Sequence, residues 1–165
     1  MAKESSFDIV SSVDMQEVDN AYGQAKKELS QRYDLKGSGA SITLDKSART
    51  VTVLAPSDFV CGQVIDVLES KLIRRKVDIQ SLQWGNPENA SGGNVRKTAR
   101  IIEGIDRDTA SAINKDIKSQ KFKAKVQIEG DHLRVSSASK DTLQDVIAFV
   151  RSKDYGLPLQ FTNRR

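Results

Sequence analysis

Basic residues alternate with apolar ones along the segment 121–128, and again along the segment 132–136. Successive side chains of a β-strand point to opposite faces, so a hairpin formed by these segments places its basic residues on one face. Ammonium and guanidinium groups gathered in this way are suited to binding phosphate oxygens. The pattern predicts a cationic strip that binds a phosphate-bearing ligand and consists of Lys121, Lys123, Lys125, His132 and Arg134.

Two arginines of the preceding predicted strand extend this site. Arg96 and Arg100 stand at alternating positions on either side of Thr98 and add two guanidinium groups. An alternative explanation for all these residues is that they are solvated side chains, which keep a small sheet soluble and protect its edge from pairing. The residue pattern alone fits both explanations.

The residues that usually carry catalysis or bind metals do not form a recognisable pattern. The chain has one histidine and one cysteine, too few imidazole and thiolate ligands for a zinc site. It has no glycine-rich loop of the type that binds nucleoside triphosphates. Cys61 stands on a predicted helix with an apolar stripe and is interpreted as a core residue rather than a nucleophile. We therefore predict a protein that is not an enzyme and that uses no metal and no cofactor.

Charge is distributed unevenly along the 165 residues. The formal net charge is +4, but residues 1–92 hold 11 Lys and Arg against 13 Asp and Glu, whereas residues 93–165 hold 15 against 9. The positive excess in the second half favours polyanionic partners there. The single cysteine excludes an internal disulfide framework, and no apolar run is long enough for a membrane span. Together with the lack of a signal-peptide pattern, these features predict a cytoplasmic protein without membrane association.

Hydrophobic periodicity gives the same order of elements on both sides of a turn-rich segment, residues 85–93, which is interpreted as a linker. Each half reads as strand, helix, hairpin, helix, strand. Asp14 with Glu17 predicts a capping box at the first helix, and Asp106 predicts the cap of the third. The predicted strands are residues 7–10, 41–45, 49–54, 77–84, 96–103, 121–128, 132–136 and 157–162.

A βαββαβ order is that of the ferredoxin-like fold, in which two helices cover one face of a four-stranded antiparallel sheet. The sequence predicts an α+β protein with two such domains, residues 1–92 and 93–165, each with an open sheet face. RNA-recognition modules of this topology stack bases on aromatic residues of their central strands. The predicted central strands here lack that pattern, and only 5 % of all residues are aromatic. Any nucleic-acid binding would therefore depend on backbone phosphates.

Four segments of the chain resemble one protein family. They are SFDIV at residues 6–10, RYDLKG at residues 32–37, the stretch 121–135 with QIEGD at residues 127–131, and PLQF at residues 158–161. Together they are similar to the YajQ family of bacterial nucleotide-binding proteins, and the similarity covers essentially the whole chain. The resemblance implies a bacterial cytoplasmic protein with two ferredoxin-like domains whose first strands, within residues 5–12 and 95–104, are exchanged. With this exchange Arg96 and Arg100 flank the first sheet, and the cationic strip stays on the second.

The resemblance also implies a function. Members of the family bind nucleotides such as ATP or GTP and transfer RNA, and some sense cyclic di-GMP and pass this signal to transcription through partner proteins. We therefore predict a non-catalytic protein that binds a nucleotide, cyclic di-GMP or RNA on a basic sheet face. The alternative is a protein–protein adaptor or transcription co-regulator whose interaction with a regulatory partner is modulated by a nucleotide.

Overall fold

A computed structural model describes residues 3–165 of the chain. Its helices are α1 (Met15–Gln31), α2 (Asp58–Arg74), α3 (Arg107–Ser119) and α4 (Lys140–Arg151). Its strands are β1 (Ser5–Val10), β2 (Ser41–Asp45), β3 (Thr50–Ala55), β4 (Leu82–Trp84), β5 (Glu88–Asn89), β6 (Val95–Ile101), β7 (Lys125–Glu129), β8 (His132–Ser137) and β9 (Gln160–Thr162). Single 3-10 turns occur at Ile79–Ser81 and Ser91–Gly93. The predicted α+β class is confirmed.

The strands form two antiparallel sheets. One is four-stranded in the order β7-β8-β1-β9, and the other is five-stranded in the order β2-β3-β6-β4, with β5 paired to β6. Strand β1, from the start of the chain, therefore lies between two strands from its far end, whereas β6 joins the strands of the first half. This arrangement is the strand exchange that the family resemblance implied.

The chain divides into two compact units. The central unit is Val13–Ile102, with α1, α2 and the five-stranded sheet. The terminal unit combines the segment up to Ser12 with Glu103–Arg165 and contains α3, α4 and the four-stranded sheet. Each sheet is complete only with a strand from outside its own half of the sequence, so residue 92 marks no break between compact units.

Apolar side chains of each sheet pack against the two helices of the same unit. In the central unit the buried face of β3 and β6 includes Val51, Val53 and Ala99, which belong to one core with residues of both helices. In the terminal unit Phe7 on β1 and Leu133 on β8 are buried. Burying one such large side chain contributes about 2 kcal/mol. Helices on one side leave the other face of each sheet open, and the residues that alternate with the buried ones lie there.

Side-chain caps start all four helices of the described chain. Asp14 accepts hydrogen bonds from the amides of Gln16 and Glu17, at 3.0 and 3.4 Å. The predicted capping box is wrong in its second half, because the Glu17 carboxylate accepts hydrogen bonds from Arg75 instead, at 2.9 and 3.2 Å. The side chains of Ser57, Asp106 and Ser139 cap α2, α3 and α4.

Three predicted strands are shorter than expected, and the predicted linker has structure. Asp78 caps a 3-10 turn by accepting from the Gln80 amide at 2.9 Å, so the strand predicted over 77–84 forms only as β4. The last strand begins at Gln160 rather than at residue 157. The segment predicted as a linker, 85–93, contributes β5 to the five-stranded sheet.

The first strand of the second hairpin also starts late. Lys121 has a φ of 56°, in the left-handed region, and its amide donates to the carbonyl of Lys118 at 3.1 Å. It therefore closes α3 instead of opening a strand, and β7 begins four residues later, at Lys125.

Candidate functional site

The open face of the four-stranded sheet contains part of the predicted cationic strip. Arg134 on β8 stands opposite Gln127 on β7 and Asp8 on β1. Lys125 stands opposite Ser136, and His132 stands opposite Glu129. The sheet therefore brings Lys125, His132 and Arg134 onto one face, as the alternation predicted, but it also brings two carboxylates to the same face.

Arg134 is held by a carboxylate from the other end of the chain. Its Nε donates to Oδ1 of Asp8 at 3.1 Å, across 126 residues of sequence. The second Asp8 oxygen, Oδ2, accepts from the side-chain amide of Asn163 at 3.0 Å. Burial alone raises the pKa of Asp8, but the hydrogen bonds from Arg134 and Asn163 outweigh it and hold the pKa below its ordinary value. Asp8 is only 7 % exposed and stays charged, so it neutralises the central guanidinium of the strip.

His132 also lies beside acidic side chains. Its Nε2 is 3.5 Å from Oε2 of Glu129, and its Nδ1 is 3.3 Å from Oδ1 of Asp131. A positive charge on this imidazole would first be compensated by these carboxylates, so His132 adds little attraction for an anion.

The remaining lysines of the strip lie at or beyond its edge. Lys125 is the first residue of β7, on the outermost strand, and is exposed. Lys123 precedes the strand, is exposed, and its carbonyl accepts a hydrogen bond from Ser137 Oγ at 2.8 Å. Lys121 lies at the end of α3 and does not belong to the sheet. The strip predicted from the sequence is therefore interrupted.

The open face of the five-stranded sheet carries the two predicted arginines. Arg96 and Arg100 on β6 stand opposite Leu54 and Thr50 of β3, and Thr98 between them stands opposite Thr52. The hydroxyl oxygens of Thr52 and Thr98 are 3.5 Å apart. All these residues alternate with the buried ones and so lie on the side away from the helices. The structure separates Arg96 and Arg100 from the cationic strip, as expected for exchanged strands.

These two arginines are engaged less than Arg134. Both are exposed. Nη1 of Arg96 is 4.0 Å from a carboxylate oxygen of Glu88, whose side chain is itself mostly exposed. Arg100 forms no ion pair with another residue in the range 3–165. Weak or absent pairing leaves guanidinium N–H groups of both side chains for a ligand.

The described part of the chain contains no metal-binding cluster and no exposed cysteine. No group of three or more His, Cys, Asp or Glu side chains in residues 3–165 is arranged to hold a metal ion. Cys61 is buried, and burial raises the pKa of its thiol, which disfavours the nucleophilic thiolate. No helix within residues 3–165 has the length and apolarity needed to cross a bilayer.

Two aromatic side chains are exposed on the surface of the central unit. Tyr33 is 97 % exposed and Phe59 is 75 % exposed. The loop that carries Tyr33 is fixed, because the neighbouring Leu35 is buried and Asp34 accepts a hydrogen bond at 3.4 Å from Gln63, one turn after Phe59 on α2. The segment RYDLKG, singled out in the sequence, therefore presents an aromatic ring to solvent.

Comparisons with known proteins agree with this architecture. Residues 5–165 match the model of a family described as nucleotide-binding protein YajQ-like. The chain belongs to the YajQ family. It is 46 % identical over 165 residues to a nucleotide-binding protein of Desulfitobacterium hafniense, and the aligned region covers 100 % of both chains. It is 51 % identical over 166 residues to a nucleotide-binding protein of Bacillus mycoides, again with 100 % of both chains covered. A nucleotide-binding protein of Geotalea uraniireducens is 49 % identical over 160 residues, 97 % of this chain and 98 % of the relative.

Sequence reasoning missed the residues that alter the strip. In the sequence, Asp8 is only one position of an alternating strand, and Asn163 belongs to no recognisable pattern. The signal that could have revealed Asp8 is the exchange itself: once β1 is placed beside β8, the alternation puts Asp8 and Arg134 on the same open face. The register that makes them direct neighbours is a tertiary feature.

Proposed function

We propose that this protein is a non-catalytic nucleotide-binding protein that holds a phosphate-bearing ligand on the open face of its five-stranded sheet. The main support for this site is the exposed pair Arg96 and Arg100, which lie on one strand with the hydroxyl of Thr98 between them. Four residues of strand span about 13 Å, so the two guanidiniums are suited to separate phosphates of one extended ligand or to converge on one group. The relatives' names as nucleotide-binding proteins support the ligand class.

The competing site is the cationic strip of the four-stranded sheet, with Lys123, Lys125 and Arg134. Its central guanidinium donates to Asp8 at 3.1 Å, and an anion would have to compete with this carboxylate. The arginines of β6 are therefore the better candidates for binding the phosphate. Lys121 and His132, expected to assist at the strip, have a smaller part still.

The chemistry of the preferred face indicates how the ligand would be recognised. Guanidinium groups donate paired hydrogen bonds to phosphate oxygens, and threonine hydroxyls add single ones. The face of β3 and β6 carries no aromatic side chain on which a base could stack. Recognition would then rest on phosphates and fall with added salt, whether the ligand is ATP, GTP, cyclic di-GMP or RNA in the cytoplasm.

A pair of matched double variants tests the proposal. We expect Arg96→Gln with Arg100→Gln to weaken the binding of GTP, cyclic di-GMP and a short RNA by about tenfold or more, because two charge-assisted hydrogen bonds are lost. The control, Lys123→Gln with Lys125→Gln, removes the same charge from the other unit and is expected to change affinity less than threefold. Isothermal titration calorimetry at low and moderate salt gives the affinities, and circular dichroism checks the fold.

The reverse result, in which the lysine variant loses binding and the arginine variant keeps it, would return the site to the cationic strip. Equal affinities for the unmodified protein and the two double variants would refute both the arginine site and the cationic strip. Release of inorganic phosphate from GTP by the unmodified protein would contradict the non-catalytic assignment.

A second function, that of a protein–protein adaptor, is favoured by one separate observation. Tyr33 and Phe59 expose large apolar surface on a fixed part of the central unit. Exposed aromatic residues are enriched among those that dominate protein interfaces. If this surface binds a regulatory partner, Tyr33→Ala and Phe59→Ala would abolish capture of the partner from a bacterial lysate and leave the nucleotide affinity unchanged. The control, Tyr22→Phe, would change neither partner capture nor nucleotide affinity.

A further inference from the structure

A cavity of about 270 Å³ lies within the terminal unit, between α4, β1 and the last two residues of the chain. One side is the face of α4 formed by residues 140, 143, 144 and 147, which are spaced by about one helical turn. The opposite side is formed by residues 5–7 and by Arg164 and Arg165. No residue of the open sheet faces discussed above, other than Ser6 at the start of β1, belongs to its lining.

The backbone around the cavity is fixed by hydrogen bonds. The Ser6 amide donates to the carbonyl of Arg165 at 3.0 Å, and the Arg165 amide donates to the carbonyl of Ser6 at 2.8 Å. On the other side, Ser139 caps α4 by accepting from the Thr142 amide at 3.2 Å. Ser5 lies on the same side of β1 as the buried Phe7, and its small side chain leaves space between these two walls.

The cavity combines apolar walls with a one-sided charge. Its apolar part comes from Phe7, Leu143 and Ile147, all of which are largely buried. Its charged side chains are all positive and belong to Lys140, Arg164 and Arg165, with no Asp or Glu side chain in the lining. The acidic residue of the first turn of α4, Asp141, is not among the residues that line it.

Two of the three cations lack partners within the described chain. Neither Lys140 nor Arg164 forms an ion pair with another residue in the range 3–165, whereas Arg165 Nε donates to Oδ1 of Asn163 at 3.4 Å. The side chains of Lys140 and Arg164 are both exposed. A cation with no Asp or Glu side chain paired to it attracts an anion, and here it lies beside an apolar surface.

We propose that this cavity binds a small amphiphilic anion. Its apolar chain or ring would contact Phe7, Leu143 and Ile147, and its carboxylate or phosphate would accept hydrogen bonds from Lys140 and Arg164. The volume lies just below the usual range for drug-sized ligands, about 300–1,000 Å³, which limits the apolar part to a short chain or a single ring. This site is separate from the arginines of β6, so it stands independently of the proposed nucleotide site.

Four probes distinguish the contributions of charge and apolar surface. Octanoate and octyl phosphate carry the two candidate head groups on the same chain, octanol carries the chain alone, and inorganic phosphate carries the charge alone. We expect at least one of the two anionic probes to bind at least about tenfold more tightly than octanol or phosphate, since each of these lacks one half of the interaction. Calorimetry measures affinity, and amide chemical shifts of the full chain locate binding at β1 and α4.

Two variants remove the site in different ways. Lys140→Gln with Arg164→Gln removes the unpaired cations and is expected to weaken binding of the anionic probe about tenfold. Ser5→Leu fills the cavity without changing charge and is expected to abolish binding. The control, Lys153→Gln, removes a cation of the same unit that lies over the Phe149 ring and does not line the cavity.

Three outcomes would overturn the proposal. They are the absence of binding by both anionic probes at millimolar concentration, binding that survives both the charge and the filling variants, and octanol binding as tightly as the anions. Amide shift changes remote from β1 and α4 would move any observed binding to another place and likewise exclude the cavity.

Discussion

The two open sheet faces differ in what their arginines contact. On the four-stranded sheet, Arg134 lies beside the buried carboxylate of Asp8, which it contacts at 3.1 Å. On the five-stranded sheet, Arg96 and Arg100 lie beside a threonine pair, and the one carboxylate of residues 3–165 within 4.0 Å of either guanidinium is that of Glu88, which is 4.0 Å from Arg96. Similar residue types on similar strands thus give a tightly paired arginine in one unit and weakly paired arginines in the other. The side chains that the neighbouring strand places beside each arginine determine how tightly that arginine is paired.

A count of charges along a sequence therefore does not measure the charge that is available to a ligand. Residues 93–165 hold the positive excess of the chain. Strand exchange moves β6, with Arg96 and Arg100, from that half to the central unit, and brings Asp8 into the terminal unit. Both moves reduce the contrast between the halves that the composition suggests.

The largest effect that would test this comparison is on stability. We expect Asp8→Ala to lower the free energy of unfolding by about 2 kcal/mol, because Arg134 and Asn163 each lose an acceptor that is charged and buried. Thr98→Val, at the matching central position of the other face, should change it by less than about 0.5 kcal/mol. Urea denaturation of both variants measures the difference. Equal losses would show that the two faces are stabilised alike.

The stabilising effect of Asp8 should depend on pH. Its pKa lies below its ordinary value in the folded protein, so its contribution is complete above the unfolded pKa of about 3.9 and is lost as the pH falls through the folded value. We expect the stability gap between the unmodified protein and Asp8→Asn to be constant from pH 7 to about pH 5 and to narrow below pH 4. A gap that is unchanged at pH 3 would contradict the charged hydrogen-bonded state of Asp8.

A gain of anion binding is the next expected effect. In a protein that already carries Arg96→Gln and Arg100→Gln, Asp8→Asn should increase the affinity for GTP about threefold, because it releases Arg134 from an ion pair. Adding Arg134→Gln should cancel the gain. Calorimetry on the three proteins gives the comparison, and an increase that survives Arg134→Gln would assign it to net charge instead.

The smallest effect concerns the threonine pair. Thr52→Val should cost less than about 0.5 kcal/mol, because the two hydroxyls are at the limit of hydrogen-bond distance and valine is favoured in strands. Thermal unfolding checks this, with Thr43→Val on the edge strand as the control. A cost above 1 kcal/mol would give the threonine row of the five-stranded sheet a structural role comparable to that of Asp8.

Local signals were sufficient to predict most elements of the fold. Caps at Asp14 and Asp106 mark helix starts that the structure reproduces, because a side-chain acceptor satisfies amide groups in its own first turn. Alternation of apolar residues placed β2, β3 and β8 within one residue of their actual bounds. Such features depend on neighbours within a few residues.

Features that depend on distant neighbours were not accessible in the same way. β5 comprises two residues in a turn-rich segment and exists because it pairs with β6, which its own composition does not reveal. The turn after α3 depends on a left-handed conformation at Lys121, which is unusual for lysine. The neutralised strip depends on Asp8, which approaches Arg134 only in the folded sheet. The family resemblance supplied the exchange of strands, which periodicity alone did not.

Strand exchange also has a consequence for protein synthesis. The central unit, Val13–Ile102, has all of its strands once residue 102 has left the ribosome. β1 is made before any of these residues, yet its partners β8 and β9 follow only after residue 131. Throughout that interval the backbone of β1, with Phe7 and Ile9, has no sheet to join. The terminal unit is therefore the slower of the two to form, and its first strand is the segment that most needs protection from aggregation while the chain is growing.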